Sequence, residues 1–394
     1  MRTLLLLLAA TAVAQSGPRV ELSHTTESLR GISTVSREIA WASGTHGTYL
    51  RTTDAGRTWT PAQVPDATAL DFRAVVAFST NEAFLMSAGP GDQSRVYHTT
   101  DAGQHWQLQF TNTNPKGFFD SMVFWDPKHG AVLGDPISDE SGKLKFELLI
   151  TDDGQTWHPI PPAQLPPAIE GEGAFAASNT CLAILRSNLW KSGPEGPRQP
   201  AEEEGASAPE GQLWFATGGK AARVFHSSDR GQTWQVFDTP ILHGPESAGI
   251  FSIAFRDALH GVIAGGDYKR PNDDGPNLAF TEDGGKTWTL PELHPLAYFS
   301  AAAYDRKINE AAIAQQKAND ATTTNNKKTT RVKPIAPERL FLVGDDFIFD
   351  LRPPNNPRRV NGSKKQAMKF NAASAYPDGG ALIVGPKGSI AYIP

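Results

Sequence analysis

The chain has 394 residues, 39% hydrophobic and 20% charged, with nine Trp, 36 Gly and 30 Pro. It is too apolar to be disordered and rich enough in turn formers to favour many short strands. A net charge of −5 excludes an overall positive field for nucleic acid, and a single cysteine, Cys181, excludes an internal disulfide and a Cys-based metal site.

The first element is an address. Arg2 precedes an apolar run from Leu4 to Ala10 and the triplet Ala12-Val13-Ala14, the small-x-small pattern of a cleavable secretory signal peptide. Residues 1–14 are therefore expected to leave, with cleavage after Ala14, and residues 15–394 to form one periplasmic or secreted domain. The run is far too short to cross a bilayer and no later stretch qualifies, so no membrane span is expected.

Further along, one string recurs five times: TTDAGRTW at 52–59, TTDAGQHW at 99–106, ITDDGQTW at 150–157, SSDRGQTW at 227–234 and TEDGGKTW at 281–288. Its shared core, D-x-G-x-x-W, contributes Asp54, Gly56 and Trp59; Asp101, Gly103 and Trp106; Asp152, Gly154 and Trp157; Asp229, Gly231 and Trp234; Asp283, Gly285 and Trp288. The string reads as a self-tied turn. The carboxylate accepts NH groups of the turn it opens, Gly takes the positive φ, and Trp starts the next strand with its indole between sheets. These residues are accordingly assigned a structural role, with no catalytic residue among them.

Successive Asp residues are 47, 51, 77 and 54 positions apart, the length of one four-stranded blade. The long interval holds a Pro/Gly/Glu-rich insertion at 191–211. Each unit reads strand, turn, strand ending in Gly, strand, string, strand. A sixth unit lacks the string and carries two further insertions, 305–336 and 352–369, which together hold 13 Lys and Arg against three acids. They read as solvated loops or as a contact surface for an acidic partner or an anionic membrane. The final unit supplies three strands, and Arg19 to His24 would add the fourth. The fold expected is all-β: a seven-bladed β-propeller of four-stranded antiparallel blades, closed by the N-terminal strand, with no open edge.

In such a ring the inner strands start at one mouth of the channel and the D-x-G-x-x-W turns face the other way. Alignment of the units by apolar pattern puts Arg30, Arg73, Asp120, Glu172, Phe251, Phe299 and Asn371 at the start of the inner strands. The Gly-Asp corners that follow the second strands add Asp135, Asp267 with Tyr268, and Asp345. Acids around a mouth are either polyol or cation ligands or partners for the two arginines, and both readings stand. Asp126-x-x-His129 and Asp257-x-x-His260 fall at equivalent turns and read as turn chemistry. No metal and no cofactor are implied.

The recurring string resembles the Asp-box, or BNR, repeat S/T-x-D-x-G-x-T-W. With strings such as Trp41-Ala42-Ser43-Gly44-Thr45-His46-Gly47-Thr48 and Leu382-Ile383-Val384-Gly385-Pro386-Lys387-Gly388, the chain resembles the propellers related to the photosystem II stability/assembly factor. That resemblance implies a non-catalytic extracytoplasmic scaffold that binds a partner protein; a monomer is expected, with the partner or a small polar ligand held at the mouth. The rival is a sialidase-like glycoside hydrolase, since those enzymes carry the same repeat. It would need an arginine triad, and the equivalent positions offer Arg30 and Arg73 alone.

Overall fold

The computed structural model describes residues 18–185, 190–191, 199–200, 211–292, 297–306, 339–345, 348–352, 356–359 and 369–394. The signal-peptide reading of 1–14 and most of the three insertions lie outside these residues.

Seven antiparallel blades follow one another around a ring. Blade 1 comprises Leu29–Thr34, Ala40–Gly44, Thr48–Thr52 and Thr60–Gln63. Blade 2 comprises Asp71–Ala77, Ala83–Ala88, Arg95–Thr99 and Gln107–Thr111. Blade 3 has Phe119–Phe124, the long hairpin Gly130–Ser138 with Leu144–Thr151, and an outer strand of two residues, His158–Pro159. That outer strand is cut short because the chain continues Ile160-Pro161-Pro162, and proline has no N–H to give to a ladder.

Blade 4 comprises Leu182–Ile184, Leu213–Ala216, Arg223–Ser227 and Gln235–Asp238. Blade 5 has Ala248–Phe255, Gly261–Asp267 and Leu278–Thr281, its fourth position held by a bridge from Phe280 to Thr289. Blade 6 comprises Ala301–Tyr304, Leu340–Val343, Ile348–Arg352 and Asn356–Arg359. Its long excursion leaves at Asp305 and returns at Arg339, whose side chains form a buried ion pair at 3.2 Å.

Blade 7 closes the ring. Ala372–Ala375, Ala381–Gly385 and Ser389–Ile393 are joined by Arg19–Glu21 from the other end of the chain, with Val20 opposite Ala391. The closure extends into blade 1, because the buried Glu21 carboxylate accepts the Trp59 indole N–H at 2.8 Å. Gly56 is required there: a Cβ at this position would collide with the Glu21 carboxylate.

The core consists of slabs between neighbouring blades, each buried residue facing across to the next sheet. Trp59 packs with Leu50 and Ala42 against Ala372, Tyr376 and Leu382 of blade 7, and Trp157 packs against Phe84 and Val96 of blade 2. Trp288 lies with Trp214 and Ala216 of blade 4. Each indole therefore reaches back to the preceding blade, and its burial pays for the ring one interface at a time.

The D-x-G-x-x-W turns form the expected ties with one correction. In blade 1, Asp54 Oδ1 accepts from Thr52 Oγ1 and Thr58 N–H, both at 2.9 Å, and Oδ2 accepts from Thr58 Oγ1 at 2.7 Å. Asp101, Asp229 and Asp283 are tied to the corresponding atoms of their own turns. In blade 3 the sequence assigns this role to Asp152, but Asp153 fills it, accepting Gln155 N–H and Thr156 N–H at 2.7 Å each. The reason is register. Thr151 ends the strand opposite Gly130, as Thr52 ends its strand opposite Ala40, so this turn has one residue fewer before its glycine. The backbone agrees: four turns carry two consecutive left-handed residues, such as Ala55-Gly56 and Arg230-Gly231, whereas here Gly154 alone is left-handed.

Candidate functional site

The mouth opposite these turns is built by a repeated backbone irregularity. In blades 1, 2, 3 and 5 the pairing of inner and second strands slips by one residue, between Leu29 and Gly31, Phe72 and Ala74, Phe119 and Ser121, and Ile250 and Ser252. The extra residues are Arg30, Arg73, Asp120 and Phe251. A bulge leaves its extra residue outside the ladder and re-aims its side chain, which is why each of these four inner strands turns one side chain towards the mouth.

Pairing corrects two of the equivalences drawn from sequence. In blade 6 Ala301 lies opposite Val343, so the position belongs to Ser300, and Phe299 is buried in the slab between blades 5 and 6. In blade 4 Leu182 lies opposite Phe215 and Cys181 O accepts from Ala216 N–H, so the position belongs to Thr180, eight residues beyond Glu172. Glu172 instead sits in a two-residue strand beside Gly219. Its side chain is fully buried, pairing both oxygens with Arg223 and accepting from Thr217 Oγ1 at 2.6 Å and Ile169 N–H at 2.8 Å. It is a structural tie and presents nothing to the mouth.

The residues between Glu172 and Cys181 cross the channel. Ala174 N–H donates to Asp135 Oδ1 of blade 3 at 3.0 Å, and Ala176 O accepts from Arg73 of blade 2 at 3.0 Å. Phe175 stacks on Phe251 of blade 5 with centroids 3.9 Å apart, and Ser178 Oγ donates to Ser300 O of blade 6 at 2.6 Å. Asn179, at a left-handed φ of 62°, brackets both backbone groups of Met122 with its amide. One segment can reach four blades on different sides of a ring only through the middle, so Ala174–Thr180 floors the mouth.

On this floor two halves meet. The charged half comes from blades 1 to 3. Asp71 Oδ2 lies 2.9 Å from Arg73 Nε and 3.8 Å from Arg30 Nε. Arg30 Nε, Asp71 Oδ1 and Asp120 Oδ2 are buried and make no hydrogen bond among the described residues. Burial drives the Asp120 carboxyl well above the aspartate range, the neighbouring Asp135 adds to this, and Arg73 opposes it. Asp135 and, next to it, Glu147 are also raised, in both cases chiefly by burial. The Arg30 guanidinium is lowered by burial and then by Arg73.

The aromatic half comes from blades 5 and 6. Tyr298 meets Phe251 edge-on at 4.8 Å and Tyr268 meets it at 6.1 Å. Tyr268 is 47% exposed. Asp267 lies beneath it, committed to Lys269 N–H and Arg270 Nε at 2.9 Å each, and Asp345 pairs with Lys369 at 2.9 Å. Of the residues singled out from sequence, Arg30, Arg73, Asp120, Asp135 and Tyr268 thus gather at the mouth. Asp267 and Asp345 are neighbours already held by basic side chains. Sequence reading missed Asp71, Glu147, Phe175 and Tyr298; the first carried a signal, since Asp71 stands two residues before Arg73.

On the far face, His129 and His260 each bond the aspartate three residues earlier, at 2.7 and 2.8 Å, so both motifs are turn ties.

No protein-family model matches the chain, and no curated protein matches it. Solved structures do match. A YCF48 bound to a D1 peptide is 16% identical over 97% of this chain and 96% of that one, with a TM-score of 0.39. The WD40 propeller domain of Doa1 is 9% identical over 95% and 96%, with a TM-score of 0.53. A catalytically inactive virginiamycin B lyase from Staphylococcus aureus with quinupristin is 11% identical over 95% and 98%, with a TM-score of 0.53. The last two likenesses are of fold: the chain shares a propeller architecture with a WD40 domain and with a lyase. Neither says which chemistry the mouth serves.

Proposed function

We propose that this protein is an exported, non-catalytic scaffold of the Asp-box propeller type that binds a segment of a protein partner across the channel mouth. The observation that carries the reading is the floored mouth. Ala174–Thr180 floors the channel, and at this floor the under-bonded Arg30 and Asp71 come from blades 1 and 2 and the exposed ring of Tyr268 from blade 5. Such a surface offers an aromatic anchor and charged groups that fix register, the ingredients of peptide recognition.

The hydrolase alternative loses its candidate acid. A general acid must reach the leaving group with a proton, and Glu172 is buried with both oxygens on Arg223.

The test is selection from a random peptide library displayed on phage. Peptides enriched on the protein should share a sequence pattern, and binding should fall at least about tenfold, the effect of a lost hot-spot contact, in Tyr268→Ala and in Arg30→Gln. It should persist in Leu108→Ser, on the outer strand of blade 2. Peptides that fail to converge, or that bind all variants equally, overturn the reading. Turnover of sialosides or aryl glycosides would also overturn it.

A further inference from the structure

The seam where blade 7 closes on blade 1 carries a second cleft, on the face opposite the mouth. Its volume is about 500 Å³, and turn residues of blade 1 line it together with Arg19, Tyr376 and Tyr392 of blade 7. Its polar groups fall into two sets. The committed set includes Asp54, whose oxygens are taken by its own turn, and Arg19 NH2, which donates to Glu21 at 2.7 Å and Ala55 O at 2.9 Å. Arg37 is held over Tyr392 at 4.4 Å and Tyr376 at 5.2 Å, is hydrogen-bonded to Tyr392 and attracted by Asp378, and makes a further contact of 3.5 Å to Gly379 O, so its guanidinium is fixed in place at the cleft wall.

The uncommitted set is Arg57, whose exposed guanidinium makes no hydrogen bond or ion pair among the described residues, and Glu38, exposed and held by Ser36 Oγ at 3.1 Å. Thr53 adds an exposed hydroxyl. The free Arg57 fork suits a planar carboxylate, and the Glu38 oxygen that Ser36 leaves open, with the Thr53 hydroxyl, suits donors such as sugar hydroxyls. A ligand with one carboxylate would satisfy Arg57 but leave Glu38 facing an unmatched charge, and a neutral sugar would leave Arg57 unused. A volume of about 500 Å³ is in the range of small-molecule sites.

We propose that this cleft is a binding site for a sugar acid, a polyhydroxylated ring or chain carrying one carboxylate, with the carboxylate on Arg57 and Arg37 and hydroxyls on Glu38. Its two walls belong to the first and last blades. A ligand held between them binds the closed ring alone and stabilises it by mass action.

Calorimetric titration and thermal unfolding of the mature protein with glucuronate, glucose and acetate test this at matched ionic strength. Glucuronate should bind saturably and raise the unfolding temperature, with glucose and acetate at least about tenfold weaker, since each lacks one of the two matched groups. Arg57→Gln should weaken glucuronate at least about tenfold, Arg57→Lys less, because lysine keeps the charge and loses the fork. Both variants should unfold at the native temperature without ligand. Lys128→Gln, an exposed cation on blade 3, should bind as the parent does. Absence of saturable glucuronate binding, equal binding of glucose or acetate, or equal loss in Lys128→Gln each overturns the proposal.

Discussion

The two ends of the channel hold carboxylates in opposite conditions. In the D-x-G-x-x-W turns the aspartates lie near solvent but are fully bonded: Asp101 accepts from His105 N–H and its imidazole, and its carboxyl sits at about 2. At the mouth Asp120 is buried and short of donors, and its carboxyl is raised. Exposure alone would predict milder shifts in the turns. What decides the sign is whether backbone and hydroxyl donors stabilise the charge faster than burial penalises it. The turns use acids to hold the fold, whereas the mouth keeps buried atoms the fold leaves unbonded among the described residues, Arg30 Nε, Asp71 Oδ1 and Asp120 Oδ2.

The largest expected effect breaks a turn at its indole. Trp59→Ala should cost about 3–5 kcal/mol in urea unfolding, the usual range for deleting a buried aromatic, because Trp59 fills the closing interface and bonds Glu21. Trp234→Ala should cost less, since Trp234 is only partly buried at the edge of its slab. Next, Asp153→Ala should cost about 1–2 kcal/mol, comparable to losing a helix cap, while Asp152→Ala should stay within about 0.5 kcal/mol. A larger cost at Asp152 than at Asp153 would restore the sequence-based assignment.

The pH dependence sharpens the contrast from the other side. A carboxyl raised in the folded state contributes stability that is present below about pH 4, the ordinary carboxylate range, and is lost as pH rises through the folded value. Asp120, Asp135 and Glu147 act this way. The turn aspartates act in reverse: their contribution is present above that range and is lost as pH falls, for Asp101 at about pH 2. Asp120→Asn should therefore raise the unfolding temperature at neutral pH and flatten its decline between weakly acidic and neutral conditions. The smallest effect on stability belongs to Tyr268→Ala, within about 0.5 kcal/mol for an exposed ring, and this substitution is nevertheless expected to weaken peptide binding at least about tenfold.

The repeat made the ring legible from sequence. D-x-G-x-x-W names a turn whose bonds lie within eight residues, so Asp54, Asp101, Asp229 and Asp283 were readable with their roles. The same locality failed at Asp153, where the decision lay in which threonine ends the strand opposite Gly130. At the mouth, Arg30, Arg73 and Asp120 were found because a bulge at the same place in each blade keeps them aligned along the chain. Glu172 was misplaced because apolar spacing cannot distinguish an inner strand from a segment that leaves the sheet and crosses the channel.

Sequence by itself therefore determined the blade period and the turn chemistry, which follow from contacts local along the chain or repeated at a fixed interval, and it called for the closing strand because the last unit supplies three strands of its own. Tertiary structure alone decided that the channel is floored, that Glu172 belongs to Arg223, and that Arg19, Arg37 and Arg57 share one cleft with Tyr376 and Tyr392. Those relations join residues from tens to hundreds of positions apart, and what brings them together is the closing of the ring, a geometric condition on the whole chain that no single stretch of it expresses.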